Sequence, residues 1–157
     1  MKKDQFIFII RGKTGAGKTS LVKKIIENFK FKKITLDDIK KTKEKKENVF
    51  EKAGMMANGI LKRNHNIIVE EAFLKKNHIK LFFRMIKQIE KYRIQYILLE
   101  CSEDVAIKRK VNLKPERVQH KYKRKTEKID SKNELIINTE NKNAEEVFNE
   151  ILKANII

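Results

Sequence analysis

The stretch Gly12 to Thr19, written GKTGAGKT, constrains this chain more than any other. Its spacing is G-x-x-x-x-G-K-T, and with Gly15 it holds three of the chain's five glycines. Backbone N–H groups that curl round an anion need conformations and close approaches that a Cβ blocks, so glycine concentrates there. In such a loop Gly12, Lys13, Thr14, Gly15, Ala16, Gly17 and Ser20 surround the phosphates of a nucleotide. Lys18 supplies a point charge to the β- and γ-phosphates, and the Thr19 hydroxyl ligates Mg²⁺.

The flanking sequence gives that loop the context it needs. Gln5 to Ile10 is an apolar run of strand length, suited to a strand buried on both faces. After the loop Leu21, Val22, Ile25, Ile26 and Phe29 recur at helical spacing, with Lys23, Lys24 and Glu27 between them. Strand, glycine loop and helix follow in order, which sets the loop amides at a helix N-terminus whose dipole favours anions. A glycine turn that binds nothing needs neither neighbour.

Downstream the alternation continues. Phe31 to Leu36 reads as a second strand ending at Asp37-Asp38, where ligands of open α/β sheets bind; capping of a helix by Asp38 is the other reading. Lys40 to Lys46 carries five lysines and one glutamate and reads as a solvated connection or frayed helix. A helix follows with Phe50, Ala53, Ala57, Ile60 and Leu61 inward. Met55 and Met56 read as core and edge packing, and Gly54 and Gly59 as places of close approach to the sheet. Asn66 to Val69 is a third strand running into Glu70-Glu71, where a nucleotide-binding fold keeps its metal-directing acid; Glu71 is the candidate, though the pair is not separated by sequence.

Asn77 to Tyr92 reads as one amphipathic helix, with His78 and His65 as surface residues at helix ends, and Arg93 to Leu99 as a fourth strand. Ser102 is placed to cap the next helix, with Glu103 and Asp104 at its positive end. Residues 108–128 hold ten Lys or Arg against Glu116 and Glu127, interrupted by the only proline, Pro115. That composition suits a basic lid in which Arg109, Arg117 and Arg124 can clamp phosphate or stack on a base. Glu134 to Ile137 is a fifth strand, and Asn143 with Glu146 forms a capping box on a helix packed through Val147, Phe148, Ile151 and Leu152. The whole predicts an α/β, three-layer P-loop NTPase fold with a five-stranded parallel sheet, one domain spanning 1–157.

Charge widens the list of partners. Lys and Arg number 38 against 21 Asp and Glu, a formal charge of +17 that attracts polyanions, nucleic acid first among them. A general enrichment in lysine is the plainer reading of scattered positions, so only the clusters at 40–46 and 108–128 carry weight. Cys101 is the only cysteine, which excludes an internal disulfide framework and a cysteine-based zinc site. With no apolar run of about 18 residues and no secretory-type start, the expectation is a soluble, cytoplasmic protein with no membrane contact.

With these residues laid out, the chain resembles the small P-loop kinases, most closely the kinase domain of the phage-type 5′-hydroxyl polynucleotide kinases and their single-domain relatives. The resemblance implies the kinase-like strand order 2-3-1-4-5, ATP with Mg²⁺ as cofactors, and phosphoryl transfer to a hydroxyl. It makes Asp37 the general base, with Asp38 beside it, sets Lys40 against substrate phosphate, and sends Arg109 to the ATP phosphates. The metal falls to Thr19 and Glu71. A second family arginine falls here on Leu113, so Arg117, Lys114 or Arg124 would replace it, and the family's Asp-Thr-Asn becomes Glu71-Ala72-Phe73. The acceptor is then a nucleic-acid 5′-hydroxyl, or a small metabolite or nucleoside. Two readings of other classes stand beside it. One is a nucleotide-dependent switch, which the lack of an Asn-Lys-x-Asp sequence disfavours in its guanine form. The other is a basic nucleic-acid binder, disfavoured by the lack of an aromatic-rich strand.

Overall fold

In the computed structural model the described residues are 5–41, 45–72, 75–129 and 134–157. Residues 42–44 of the lysine run and Phe73 lie outside them. Five strands form one parallel sheet: β1 (Gln5–Gly12), β2 (Phe31–Thr35), β3 (Asn66–Glu70), β4 (Tyr92–Glu100) and β5 (Glu134–Asn138). Their order is β2-β3-β1-β4-β5, the one expected. The helices are α1 (Lys18–Asn28), α2 (Leu36–Lys40), α3 (Lys46–Leu61), α4 (Lys76–Arg84), α5 (Glu103–Arg109), α6 (Pro115–Tyr122) and α7 (Ala144–Lys153).

Two cores follow from the pleat of the central strands, because successive side chains point to opposite faces. Ile7 and Ile9 of β1 join Ile67 and Val69 of β3 under α3 and α4. Phe8 and Ile10 join Ile68, Ile97 and Leu99 under α1 and α7. The apolar run at the start of the chain is therefore not amphipathic because both its faces are covered.

Several elements differ from those expected of the sequence. β2 stops at Thr35, and Leu36 opens α2, so Asp37 and Asp38 sit in the first turn of a helix; neither caps it, since the cap position is Thr35. The helix expected over Asn77 to Tyr92 ends at Arg84 and is followed by a turn with Gln88 at φ 56° and a single 3₁₀ turn. Pro115 does not interrupt the lid but opens α6, where its missing N–H costs nothing. Met55 and Met56 are 58% and 50% exposed, outside the core. Gly54 meets α4 rather than the sheet: a Cβ there would run into the Phe82 carbonyl, whereas at Gly59 it would enter open space.

The nucleotide cradle and the carboxylate cavity beside it

The loop between β1 and α1 is built as its glycines predict. Gly12, Gly15 and Gly17 all take positive φ. A Cβ at Gly15 would stand 2.7 Å from Cα of Ala106, so α5 lies directly against the loop. Gly17 caps α1 at φ 100° with no side-chain hydrogen bond, and the first turn has no acidic residue. Helices α5 and α7 are finished differently. Ser102 caps α5 with Glu103 and Asp104 in the first turn, and Asn143 with Glu146 forms a complete capping box on α7. At α1, in contrast with α5 and α7, the amides and positive dipole stay available to an anion.

Lys18 turns back onto the loop, donating to the carbonyls of Gly12 at 2.7 Å and Lys13 at 3.0 Å. Burial disfavours its ammonium and lowers the pKa from 10.5 to about 8, against the partial pull of Glu71 and Glu70. Thr14 to Leu21 line a cleft of about 480 Å³ that continues past Arg109 and Lys110 to Thr139, Lys142 and Val147. Gly12 and Lys13 lie outside this lining. Lys13 instead reaches the lid, donating to the Tyr122 carbonyl at 2.7 Å with its ammonium 4.7 Å from the centre of that ring. The Tyr122 hydroxyl in turn donates to the Cys101 carbonyl, which docks the end of α6 on the sheet.

Arg109, expected on the phosphates, is committed to the protein. Its guanidinium donates to the carbonyls of Gly15 (3.2 Å) and Thr139 and to the Thr139 hydroxyl (3.0 Å) while lining the cleft. The buried Thr139 hydroxyl passes the link on to the Ala16 carbonyl at 2.9 Å. Thr139 was missed by sequence reasoning because a threonine after a strand is unremarkable until the chain brings it under the loop. Arg11 was missed too: at 0% exposure its guanidinium pairs with Glu134 at 2.8 Å and donates to the Glu127 carbonyl at 2.7 Å. It thereby ties the strand before the loop to the segment leaving the lid. Removing one partner of such a buried pair costs about 3–5 kcal/mol.

Beside the cleft lies a smaller cavity of about 190 Å³, which shares Thr14, Lys18, Asp37 and Glu70 with it. Here the carboxylate against the Thr19 hydroxyl is that of Glu70, not Glu71. Glu70 also pairs with Lys33 at 2.9 Å, whereas Glu71 accepts from Lys40 at 2.7 Å and from the Ala72 amide. Strand parity carries this signal: Glu70 follows Ile68 by two and so faces α1, where Thr19 stands in the first turn. Thr19 and Glu70 offer hard oxygens side by side and fit Mg²⁺, which takes one or two protein oxygens and completes its shell from water and phosphate. No cluster of three or more His, Cys, Asp or Glu among the described residues is placed to hold a metal ion. Asp37 is 82% exposed and 3.7 Å from Lys40, while Asp38 lines neither cavity and pairs with Lys41 at 3.3 Å. Ser20 lies in the cleft and is exposed.

These features sit in a family. A family model described as an AAA domain, AAA_33, matches residues 7–133. The chain belongs to that family. Its fold is also that of solved kinases. A gluconokinase from Sinorhizobium meliloti 1021 superposes with a TM-score of 0.70 at 14% identity over 97% of this chain and 92% of that one. The APS kinase CysC of Mycobacterium tuberculosis, in complex with AMPPNP and APS, gives 0.68 at 11% identity over 97% and 98%. A Pnkp1/Rnl/Hen1 complex gives 0.61 at 16% identity over 83% of this chain and 45% of the other. No protein of curated function matches the chain in sequence. The AAA_33 chain thus has a P-loop fold with kinases among its structural neighbours, and no helix among its described residues is long and apolar enough to cross a membrane.

Proposed function

We propose that this protein is an ATP-dependent kinase that transfers the γ-phosphoryl group to a hydroxyl, with a nucleic-acid 5′-hydroxyl as the preferred acceptor and a small metabolite or nucleoside as the other. The observation that carries the reading is the junction of the two cavities at Thr14, Lys18, Asp37 and Glu70. A nucleotide seated in the larger cleft with its phosphates on the loop amides ends at that junction, and an acceptor in the smaller one meets it there. The basic segment 108–128 and the likeness to the Pnkp1 complex favour a nucleic-acid acceptor; the likeness to gluconokinase favours a small one.

In this reading the acceptor oxygen forms a bond to the γ-phosphorus as the bond to the β–γ bridging oxygen breaks, ADP leaves, and the acceptor proton passes to Asp37. Lys18 exchanges its loop carbonyls for phosphate oxygens, and the free amides at the start of α1 hold the transferring group. Mg²⁺ held by Thr19 and Glu70 would neutralise phosphate charge. Arg109 acts by fixing Gly15 against Thr139, which keeps the loop in shape.

The test is incubation with γ-labelled ATP and a panel of hydroxyl acceptors, 5′-hydroxyl RNA and DNA included, with Lys18→Ala as control. Label should appear on one acceptor class and vanish with the variant. ATP bound without transfer to any acceptor would favour the switch reading, and full activity in Lys18→Ala would remove the assigned role of that lysine.

A further inference from the structure

Resting on the kinase reading, we propose that the acceptor carries a phosphate beside its hydroxyl, and that Lys121 and Arg124 at the end of α6 grip it. The three carboxylates that line the smaller cavity already have cations beside them: Lys40 serves Glu71 at 2.7 Å and stands 3.7 Å from Asp37, and Lys33 serves Glu70 at 2.9 Å. Lys121 and Arg124 line the same cavity. Among the described residues neither side chain has a hydrogen-bond or ion-pair partner. An acceptor with only hydroxyls leaves this pair unmatched. A phosphate supplies several acceptor oxygens and the missing charge, and a guanidinium engages two of them at once.

The geometry also reassigns Lys40. Its ammonium is occupied by Glu71 and lies near Asp37, so it orients the carboxylates rather than the acceptor phosphate. Nor do Lys121 and Arg124 serve the nucleotide, since the larger cleft is lined on its lid side by Arg109 and Lys110 and reaches neither of them. The two cavities therefore draw on different turns of the basic segment, the end of α5 for nucleotide and the end of α6 for acceptor.

The phosphate can belong to a nucleic-acid strand or to a free phosphorylated metabolite, and matched probes separate the two. The chain is titrated calorimetrically, with and without saturating AMPPNP, using a 5′-hydroxyl dinucleoside monophosphate against its parent nucleoside and ribose 5-phosphate against ribose. The expected result is that one phosphorylated probe binds about tenfold or more tightly than its twin. Arg124→Gln should remove that advantage, Arg124→Lys should keep part of it, and AMPPNP affinity should not change. Lys123→Gln removes the same charge from the same exposed turn and should have little effect. No phosphate preference in either pair, an equal loss in Lys123→Gln, or a loss of AMPPNP affinity in Arg124→Gln overturns the proposal. Failure to bind AMPPNP counts against the kinase reading alone, because the probe titrations without nucleotide still report the phosphate preference.

Discussion

The larger cleft and the smaller cavity share four residues, yet different parts of the chain build them. The cleft is a main-chain structure: loop amides, a bare helix start, and carbonyls of Gly15, Ala16 and Thr139 locked by Arg109 and a buried hydroxyl. The smaller cavity is a side-chain structure, lined by charges from α2, the end of β3 and the end of α6, with Asp37 exposed and Glu70 and Glu71 mostly buried. Main chain fixed by packing is pre-formed at the cost of tolerating almost no substitution. Side-chain charges tolerate substitution without loss of fold, and each substitution changes chemistry instead.

The most severe test of that contrast is Gly15→Val. The residue would have to keep φ 80° with a branched side chain, and its Cβ would press on the backbone of Ala106. Either the loop or α5 must move, so nucleotide affinity should fall below detection and the melting temperature should drop. Titration with a fluorescent ATP analogue measures the first and thermal denaturation the second. Near-normal affinity would mean that the cleft is not shaped by this contact.

Asp37→Asn makes the matching change on the side-chain wall. The residue is exposed and its loss leaves no hole, so stability should stay within about 0.5 kcal/mol. Nucleotide affinity should also hold. Loss of the general base should lower kcat by about 10²–10⁴. A variant that loses nucleotide affinity along with turnover would place Asp37 on the phosphates, and the separation between the two cavities would fail.

The same contrast decides what could be read from sequence. The cradle was legible because its demand is local: glycines at fixed spacing between an apolar strand and an amphipathic helix. Strand order came with the family resemblance, and the two cores follow from period-two alternation in strands covered on both faces. The links that lock the cradle were not legible, because Arg109 to Thr139 and Thr139 to Ala16 join residues 30 and 123 positions apart. The break after Arg84 escaped for a different reason. No glycine or proline marks it, and Gln88 takes a left-handed conformation that its sequence does not announce. Leu36 suited a strand as well as a helix, which hid α2 and the true setting of Asp37. Glu70 was within reach through strand parity, and the pairing of acids at the strand end obscured it.

The smallest expected effect is a pH response that separates main-chain from side-chain binding within the cleft itself. Loop amides do not titrate, whereas Lys18 does, and burial sets its pKa at about 8 in the free protein. Phosphate affinity that depends on the ammonium should then fall by about tenfold between pH 7 and 9. Stability of the free protein should move the other way. The unfolded lysine keeps its ordinary value of 10.5, so between about pH 8 and 10.5 the unfolded chain binds more protons than the folded one. Stability contributed by this group therefore rises with pH through that window, as the buried ammonium discharges. Lys18→Met should flatten both trends, leaving a weak, pH-independent affinity supplied by the amides alone. Calorimetric titrations from pH 7 to 9, with denaturation curves extended to pH 10.5, measure the pair. Flat trends in the unsubstituted protein would show that Lys18 stays charged in the free loop, and that its hold on the Gly12 and Lys13 carbonyls outweighs the cost of burying it.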